Sequence, residues 1–265
     1  MRLVLAGAAA IAAMSSAWAA QTPERPAPAS RLGTGYLETA APADSLILSP
    51  PPPAPGSAAA ARDVEASKAA LALKGSARWT LAAADADLFG PRATGTFSCA
   101  AGVEIGPRST PAVDRLLRRT LADLGLSTSL IKRKYQRPRP FMVNDQPICT
   151  PDMEPILRRD GSYPSGHSAI GYGWALILAE LLPERADRLV ARGRDFGDSR
   201  RLCNVHWLSD VEEGRVAAAA VVARLHADRG FRQDLETARA ELAKPGATPP
   251  ARDCAAEAAT LELGR

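Results

Sequence analysis

Helical periodicity dominates this chain from about residue 56 onward, with no internal repeat and no clear two-residue alternation of the kind a strand shows. Thr110-Pro111 reads as an N-cap followed by proline at the first helical position. Val113, Leu116, Leu117, Leu121 and Leu124 then share one face, Arg115, Arg118, Arg119 and Asp123 point elsewhere, and Gly125 is expected to end the helix as a left-handed cap. A short helix over 128–135 must stop before Arg137, because Pro138 disfavours helical geometry in the residue ahead of it. Residues 169–182 are apolar apart from small residues and Glu180; they are too few to span a bilayer and read as the buried central helix of a bundle. Pro183 stops that helix, and further helices are expected over 184–201, 208–227 and 231–243. The second of these would bury Val211, Gly214, Ala218, Val221, Val222 and Leu225. The expected fold class is all-α: a single-domain helical bundle around a buried central helix, over residues 56–245.

The two ends depart from this pattern. Residues 1–19 read as a secretory signal peptide, with Arg2 as the charged start, an apolar run over 3–14 and Ala17-Trp18-Ala19 as the small-x-small cleavage site. That run is too short for a retained anchor, so a periplasmic or secreted protein with no membrane association after cleavage is expected. Residues 20–55 are rich in Pro, Ala and Ser, include Pro50-Pro51-Pro52-Pro53, and favour an extended arm lying on the surface or on a partner subunit. Residues 246–265 are read as a C-terminal tail.

Composition adds three constraints. The chain has 265 residues, 46% of them hydrophobic, enough for one sizeable core. Its formal charge of +4, or +3 once Arg2 is removed, is too small an excess to argue for a nucleic-acid polymer as partner. Cys99, Cys149, Cys203 and Cys254 in an exported chain suggest two disulfides. Of the three pairings, Cys99–Cys149 with Cys203–Cys254 is the expected one, stapling the early segment and the tail to the core. No CxxC and no histidine–carboxylate cluster of metal-binding spacing occurs, so neither a metal nor a cofactor is expected.

Candidate chemistry gathers between residues 132 and 210 in three blocks: Lys132, six residues, then Arg139-Pro140; Pro164-Ser165-Gly166-His167; and Ser199-Arg200, five residues, His206, three residues, Asp210. Arg139 sits in the stiff run Arg137-Pro138-Arg139-Pro140, where a planar guanidinium held at a fixed angle can grip two phosphate oxygens. Ser165 and Gly166 open the central helix, whose first N–H groups lack internal partners and can face an anion; Ser165 alone would read as a plain N-cap. His167 beside that helix start suits a general acid. His206 and Asp210 share a helical face, so the aspartate can fix the imidazole tautomer and leave the other nitrogen free to attack, although the helix dipole alone would also favour Asp210 there. His226 is assigned no role.

These blocks resemble the signature of the type 2 phosphatidic acid phosphatase superfamily, which also contains vanadium haloperoxidases. The closer context is similar to the bacterial class A non-specific acid phosphatases. It is carried by Tyr135-Gln136-Arg137-Pro138-Arg139-Pro140-Phe141, Gly161-Ser162-Tyr163-Pro164-Ser165-Gly166-His167-Ser168 and Cys203-Asn204-Val205-His206-Trp207-Leu208-Ser209-Asp210-Val211. The resemblance implies hydrolysis of small phosphate monoesters with His206 as nucleophile, Asp210 orienting it and His167 as general acid and then base. It also implies that Lys132, Arg139, Ser165, Gly166 and Arg200 hold the phosphoryl oxygens, and that the protein is a homo-oligomer. An acidic, bell-shaped rate profile follows from a neutral His206 and a protonated His167. The rival readings are a vanadate-dependent haloperoxidase, a membrane lipid phosphatase, which needs spans this sequence lacks, and a non-catalytic phosphate-binding protein.

Overall fold

The computed structural model describes residues 32–37 and 44–264; the expected signal peptide and much of the expected arm lie outside the described residues. In chain order the helices are α1 (Ser45–Leu48), α2 (Ala58–Leu71), α3 (Ala77–Ala84), α4 (Ser98–Ala101), α5 (Pro111–Leu126), α6 (Ser129–Tyr135), α7 (Phe141–Asn144), α8 (Glu154–Leu157), α9 (Gly166–Leu181), α10 (Ala186–Leu202), α11 (Leu208–Leu225), α12 (Arg229–Leu242) and α13 (Cys254–Glu262). Among the described residues there is no strand, so the fold is all-α, and no helix is long and apolar enough to cross a membrane.

Helix α9 is apolar on nearly every face because it is surrounded: α10, α11 and α5 pack directly on it, and Ala169, Trp174, Ala175, Ile177 and Leu178 are fully buried. The Trp174 indole satisfies its one donor on the Leu117 carbonyl of α5, 2.8 Å away. Leu116, Leu117 and Leu124 of α5 meet this core, as do Ala218, Val221, Val222 and Leu225 of α11, each buried leucine contributing about 1.5–3 kcal/mol. A second, smaller apolar cluster (Phe141, Ile148, Leu157, Leu202 and Val205 among its members) surrounds Cys203 beneath the candidate chemistry.

Several local expectations are corrected. Gly125 does not end its helix; α5 continues to Leu126, and Gly125 instead provides close packing against Leu32. Thr110 makes no side-chain cap, its hydroxyl being engaged with Gly106 N–H, and the first N–H groups of α5 are capped from a distance by the Glu241 carboxylate of α12 (3.0–3.1 Å). Asp123, off the leucine face as expected, is nonetheless buried, and its carboxylate accepts the backbone N–H groups of Tyr36 and Leu37, both at 2.9 Å. That contact seats the described part of the arm on its own chain. So do the Tyr36 hydroxyl to Asp234 (2.7 Å) and the Ser45 hydroxyl receiving Ile131 N–H (3.2 Å).

The disulfides are Cys99–Cys254 and Cys149–Cys203, not the expected pairs. The reason is tertiary. Asn204 ties the 144–147 loop to the end of α10 through Asn144 and the Gln146 carbonyl, which brings Cys149 beside Cys203. The expected tail forms α13, whose Glu257 reaches a buried charge network with Arg192 and Asp85, while Arg252 donates to the Gly95 carbonyl; Cys254 is thereby carried to Cys99.

Candidate active site

Four helix ends converge. The C-terminal turn of α6 brings Lys132, the stiff Arg137–Pro140 run that follows it brings Arg139, and the start of α9 brings Ser165, Gly166 and His167. The end of α10 brings Arg200, the loop into α11 brings His206, and the first turn of α11 brings Asp210. The α9 and α11 starts are locked together: Ser165 N–H donates to the Asp210 carbonyl at 2.9 Å, and a Cβ on Gly214 would lie 2.5 Å from the Ser165 carbonyl oxygen, so only glycine lets α11 approach this closely. The Ser165 hydroxyl accepts Ser168 N–H at 3.2 Å and is the N-cap of α9.

His206 is held from both sides. Its Nδ1 lies 3.2 Å from Asp210 Oδ2 and its Nε2 3.0 Å from Arg139 Nη1. A carboxylate only accepts and a guanidinium only donates, so the proton sits on Nδ1 and the lone pair on Nε2. Burial, then Arg139, Lys132 and Arg200, push the His206 pKa well below 6.5. Asp210 is fully buried yet well supplied with donors: Trp207 N–H at 2.8 Å and Arg137 Nη1 at 2.7 Å. Burial raises its carboxyl pKa, with Arg137 and the Trp207 N–H opposing.

Arg139 and Lys132 are buried and lie side by side. Arg139 donates through Nε to the Leu157 (2.9 Å) and Asp160 (3.1 Å) carbonyls, and through Nη1 to the Val205 carbonyl at 2.9 Å. Its Nη2 donates to Asp160 Oδ2 (3.1 Å) and the Gly161 carbonyl (3.4 Å). Lys132 Nζ donates to Asp160 Oδ2 (3.2 Å) and to the carbonyls of Gly161 and Ser162. Burial, then the charge of Arg139, lower the Lys132 pKa to about 8. Arg200 differs: it is 2% exposed, and its Nε and Nη1 have no hydrogen-bond partner. Burial and then Arg139 disfavour its charge, lowering its pKa to about 9. A buried guanidinium with unmet donors, beside two further cations, has donors free to meet an anion.

His167 lies close enough that its charge is opposed, after burial, by Arg200 and then by His206 and Arg139; its pKa is pushed well below 6.5. Its Nε2 donates to the Ala86 carbonyl at 3.1 Å, which leaves Nδ1 as the exchanging nitrogen. Ala86 is held in turn by its neighbour Asp85, a buried carboxylate that accepts Arg192 (2.6 and 3.2 Å) and the Ser199 hydroxyl (2.6 Å). Each expected site residue is therefore in this one region, and His226 lies at the far end of α11, bound to Glu180.

The residues to which the sequence reading gave no role are Arg137, Asp63 and Asp160. Arg137 bridges Asp210 and Asp63 (2.7 Å each) and donates to Ser209 Oγ at 2.8 Å, so it steadies the carboxylate that orients His206. Its place in the proline-flanked run was the available signal. Asp63, in an alanine-rich helix, carried none.

Residues 118–234 match the PAP2 superfamily. Over 201 residues the chain is 43% identical to an acid phosphatase of Zymomonas mobilis, covering 76% of each chain. It is 39% identical over 210 residues to a non-specific acid phosphatase of Providencia stuartii (79% of this chain, 85% of that one). It is 42% identical over 200 residues to a non-specific acid phosphatase of Salmonella typhimurium (75% and 80%).

Proposed function

The chain belongs to the PAP2 superfamily as a bacterial non-specific acid phosphatase, and from that premise we propose that it hydrolyses phosphate monoesters through a phosphohistidine on His206, without a metal. The observation that carries this reading is the placement of His206 between Asp210 at Nδ1 and Arg139 at Nε2. An imidazole whose lone pair faces a phosphate-gripping guanidinium is poised to attack the phosphorus the guanidinium holds.

In the first step the Nε2 lone pair forms an N–P bond, the ester P–O bond breaks, and His167 gives its Nδ1 proton to the departing alkoxide, which leaves as an alcohol. In the second, His167 takes a proton from water, whose oxygen attacks phosphorus; the N–P bond breaks, and inorganic phosphate and neutral His206 are restored. Lys132, Arg139 and Arg200, with Ser165 and the Gly166 N–H at the start of α9, would hold the equatorial oxygens as charge builds on them. Three fixed cations can supply stabilisation that other phosphatases draw from metal ions, and no group of three or more His, Cys, Asp or Glu side chains able to hold a metal lies among the described residues. Burial and then Arg200 disfavour the charged form of His167; bound phosphoryl charge offsets Arg200 and so favours protonation, which fits an acidic optimum.

The same reading includes export to the periplasm after removal of residues 1–19, and assembly as a homo-oligomer. Release of p-nitrophenol from p-nitrophenyl phosphate in EDTA at about pH 5–6 tests the chemistry. Activity that survives the chelator and vanishes in His206→Ala is expected; full turnover in His206→Ala would overturn the phosphohistidine. The mature N-terminus of the expressed protein, read by mass spectrometry, checks the export step.

A further inference from the structure

Every donor on two of the three cations already has a protein acceptor. Lys132 has three N–H groups and three acceptors, Asp160 Oδ2 with the Gly161 and Ser162 carbonyls. Arg139 has five N–H groups. They meet the Leu157, Asp160, Val205 and Gly161 carbonyls, His206 Nε2 and Asp160 Oδ2. A phosphoryl group that is to be gripped by these two side chains must displace an acceptor. His206 Nε2 releases Arg139 Nη1 when it attacks, which frees one donor of Arg139 and none of Lys132, and the backbone carbonyls cannot swing away. Asp160 can.

A single carboxylate oxygen, Asp160 Oδ2, lies 3.2 Å from Lys132 Nζ and 3.1 Å from Arg139 Nη2, bridging both cations as a phosphoryl oxygen would. The Asp160 side chain is 48% exposed, whereas those of Lys132 and Arg139 are 11% and 2% exposed, so it approaches the pair from the solvent side. The Asp160 backbone is tied down separately, its N–H to the Leu157 carbonyl and its carbonyl to Arg139 Nε. The side chain can therefore swing out while the loop stays in place. The geometry points to Asp160 as a resident counter-anion: its carboxylate occupies the Lys132–Arg139 half of the phosphate site, and substrate and product phosphate bind by displacing it. Asp160 thus sets the affinity for the phosphoryl dianion and favours release of product; it is a specificity-determining residue that takes no part in bond making.

This inference rests on Lys132 and Arg139 as phosphate ligands, so its experiment tests the two together. Inhibition of p-nitrophenyl phosphate hydrolysis by inorganic phosphate is measured for the full chain, Asp160→Asn, Asp160→Glu and Lys132→Met at about pH 5.5. Removing a half-exposed carboxylate that competes for two cations should tighten the phosphate Ki and the substrate KM by about tenfold in Asp160→Asn, with Asp160→Glu returning toward the native value. If Asp160 only positioned the cations, its neutral variants would bind phosphate more weakly; a Ki that is unchanged or higher in Asp160→Asn overturns the inference. An unchanged Ki in Lys132→Met would instead remove the reading of the site itself. Asp160→Ala, with the thermal unfolding midpoint measured alongside, repeats the test should the asparagine variant fold poorly.

Discussion

Arg200 is where structure and function pull in opposite directions. Its guanidinium is 2% exposed, lies within the field of Arg139, and leaves Nε and Nη1 without partners. A buried charge so placed lowers stability, and an anion at the site would offset that cost. Arg200→Met should therefore raise the thermal midpoint in buffer free of phosphate while lowering kcat/KM by at least about 10²–10³. Differential scanning calorimetry with and without phosphate checks both halves, since the variant should also lose most of the stabilisation that phosphate gives the native protein. A variant less stable than the native chain would show that Arg200 is held by the fold rather than by its ligand. The identities of Arg200, His206 and Asp210 were legible in their spacing. That Arg200 is the cation with unmet donors, and that Arg137 braces Asp210, was not, because hydrogen-bond satisfaction depends on which distant carbonyls and carboxylates come near.

Among the elements, the contact between the start of α9 and the first turns of α11 decides the geometry. Ser165 N–H to the Asp210 carbonyl joins the start of α9 to the residue whose carboxylate contacts His206, and Gly214 allows the approach. A methyl at position 214 would lie 2.5 Å from the Ser165 oxygen and 2.8 Å from Ser168 Cβ, which backbone cannot absorb without α11 moving away. Gly214→Ala should cost about 1–3 kcal/mol in denaturant unfolding. It should also lower kcat more than it raises KM, because the nucleophile moves relative to the bound phosphoryl group. Unaltered kinetics would mean that α11 positions His206 independently of α9. The burial of Gly214 could be read from the periodicity of α11; what it touches could not. The same holds for the caps. Thr110 fits every local rule for capping α5, yet Glu241, from another helix, takes the N–H groups.

For the molecule as a whole, the imidazoles of His206 and His167 set a pH dependence of stability. His206 and His167 both have folded pKa values below 6.5, chiefly through burial and then through Arg139 and Arg200 respectively. Above pH 6.5 neither the folded nor the unfolded chain protonates them and they contribute no slope. Below it the unfolded chain takes up protons that the folded chain refuses, so stability falls with pH by up to about 1.4 kcal/mol per unit for each imidazole. Lys132, lowered to about 8 from 10.5, adds a separate loss as pH falls from the alkaline side toward 8. Burial raises the Asp210 pKa, giving a slope of the opposite sign in more acid solution, and His226, raised by its Val222 and Glu180 partners against burial, opposes the loss near neutrality. Urea unfolding at pH 8, 7, 6 and about 5 should show the decline setting in below 6.5, shallower in His167→Asn, and reduced by phosphate, whose charge favours the protonated imidazole. An identical slope in His167→Asn would mean that His167 titrates freely.

Some properties of this protein were settled by the order of residues alone. The helical period marked α5, α9, α11 and α12 to within a few residues, because it is set by the backbone's own geometry and by which positions must leave water. The three blocks resembled the superfamily signature and so pointed to an acid phosphatase, and relatives 39–43% identical over most of the chain bear that activity out. Tertiary structure decided the rest: that Cys149 meets Cys203 and Cys254 meets Cys99, that the last residues form α13 over a buried Arg192–Asp85 network, and that Asp160 lies across Lys132 and Arg139. Pairings of this kind join residues far apart in the chain, and no local period or spacing encodes which loop arrives beside which helix end.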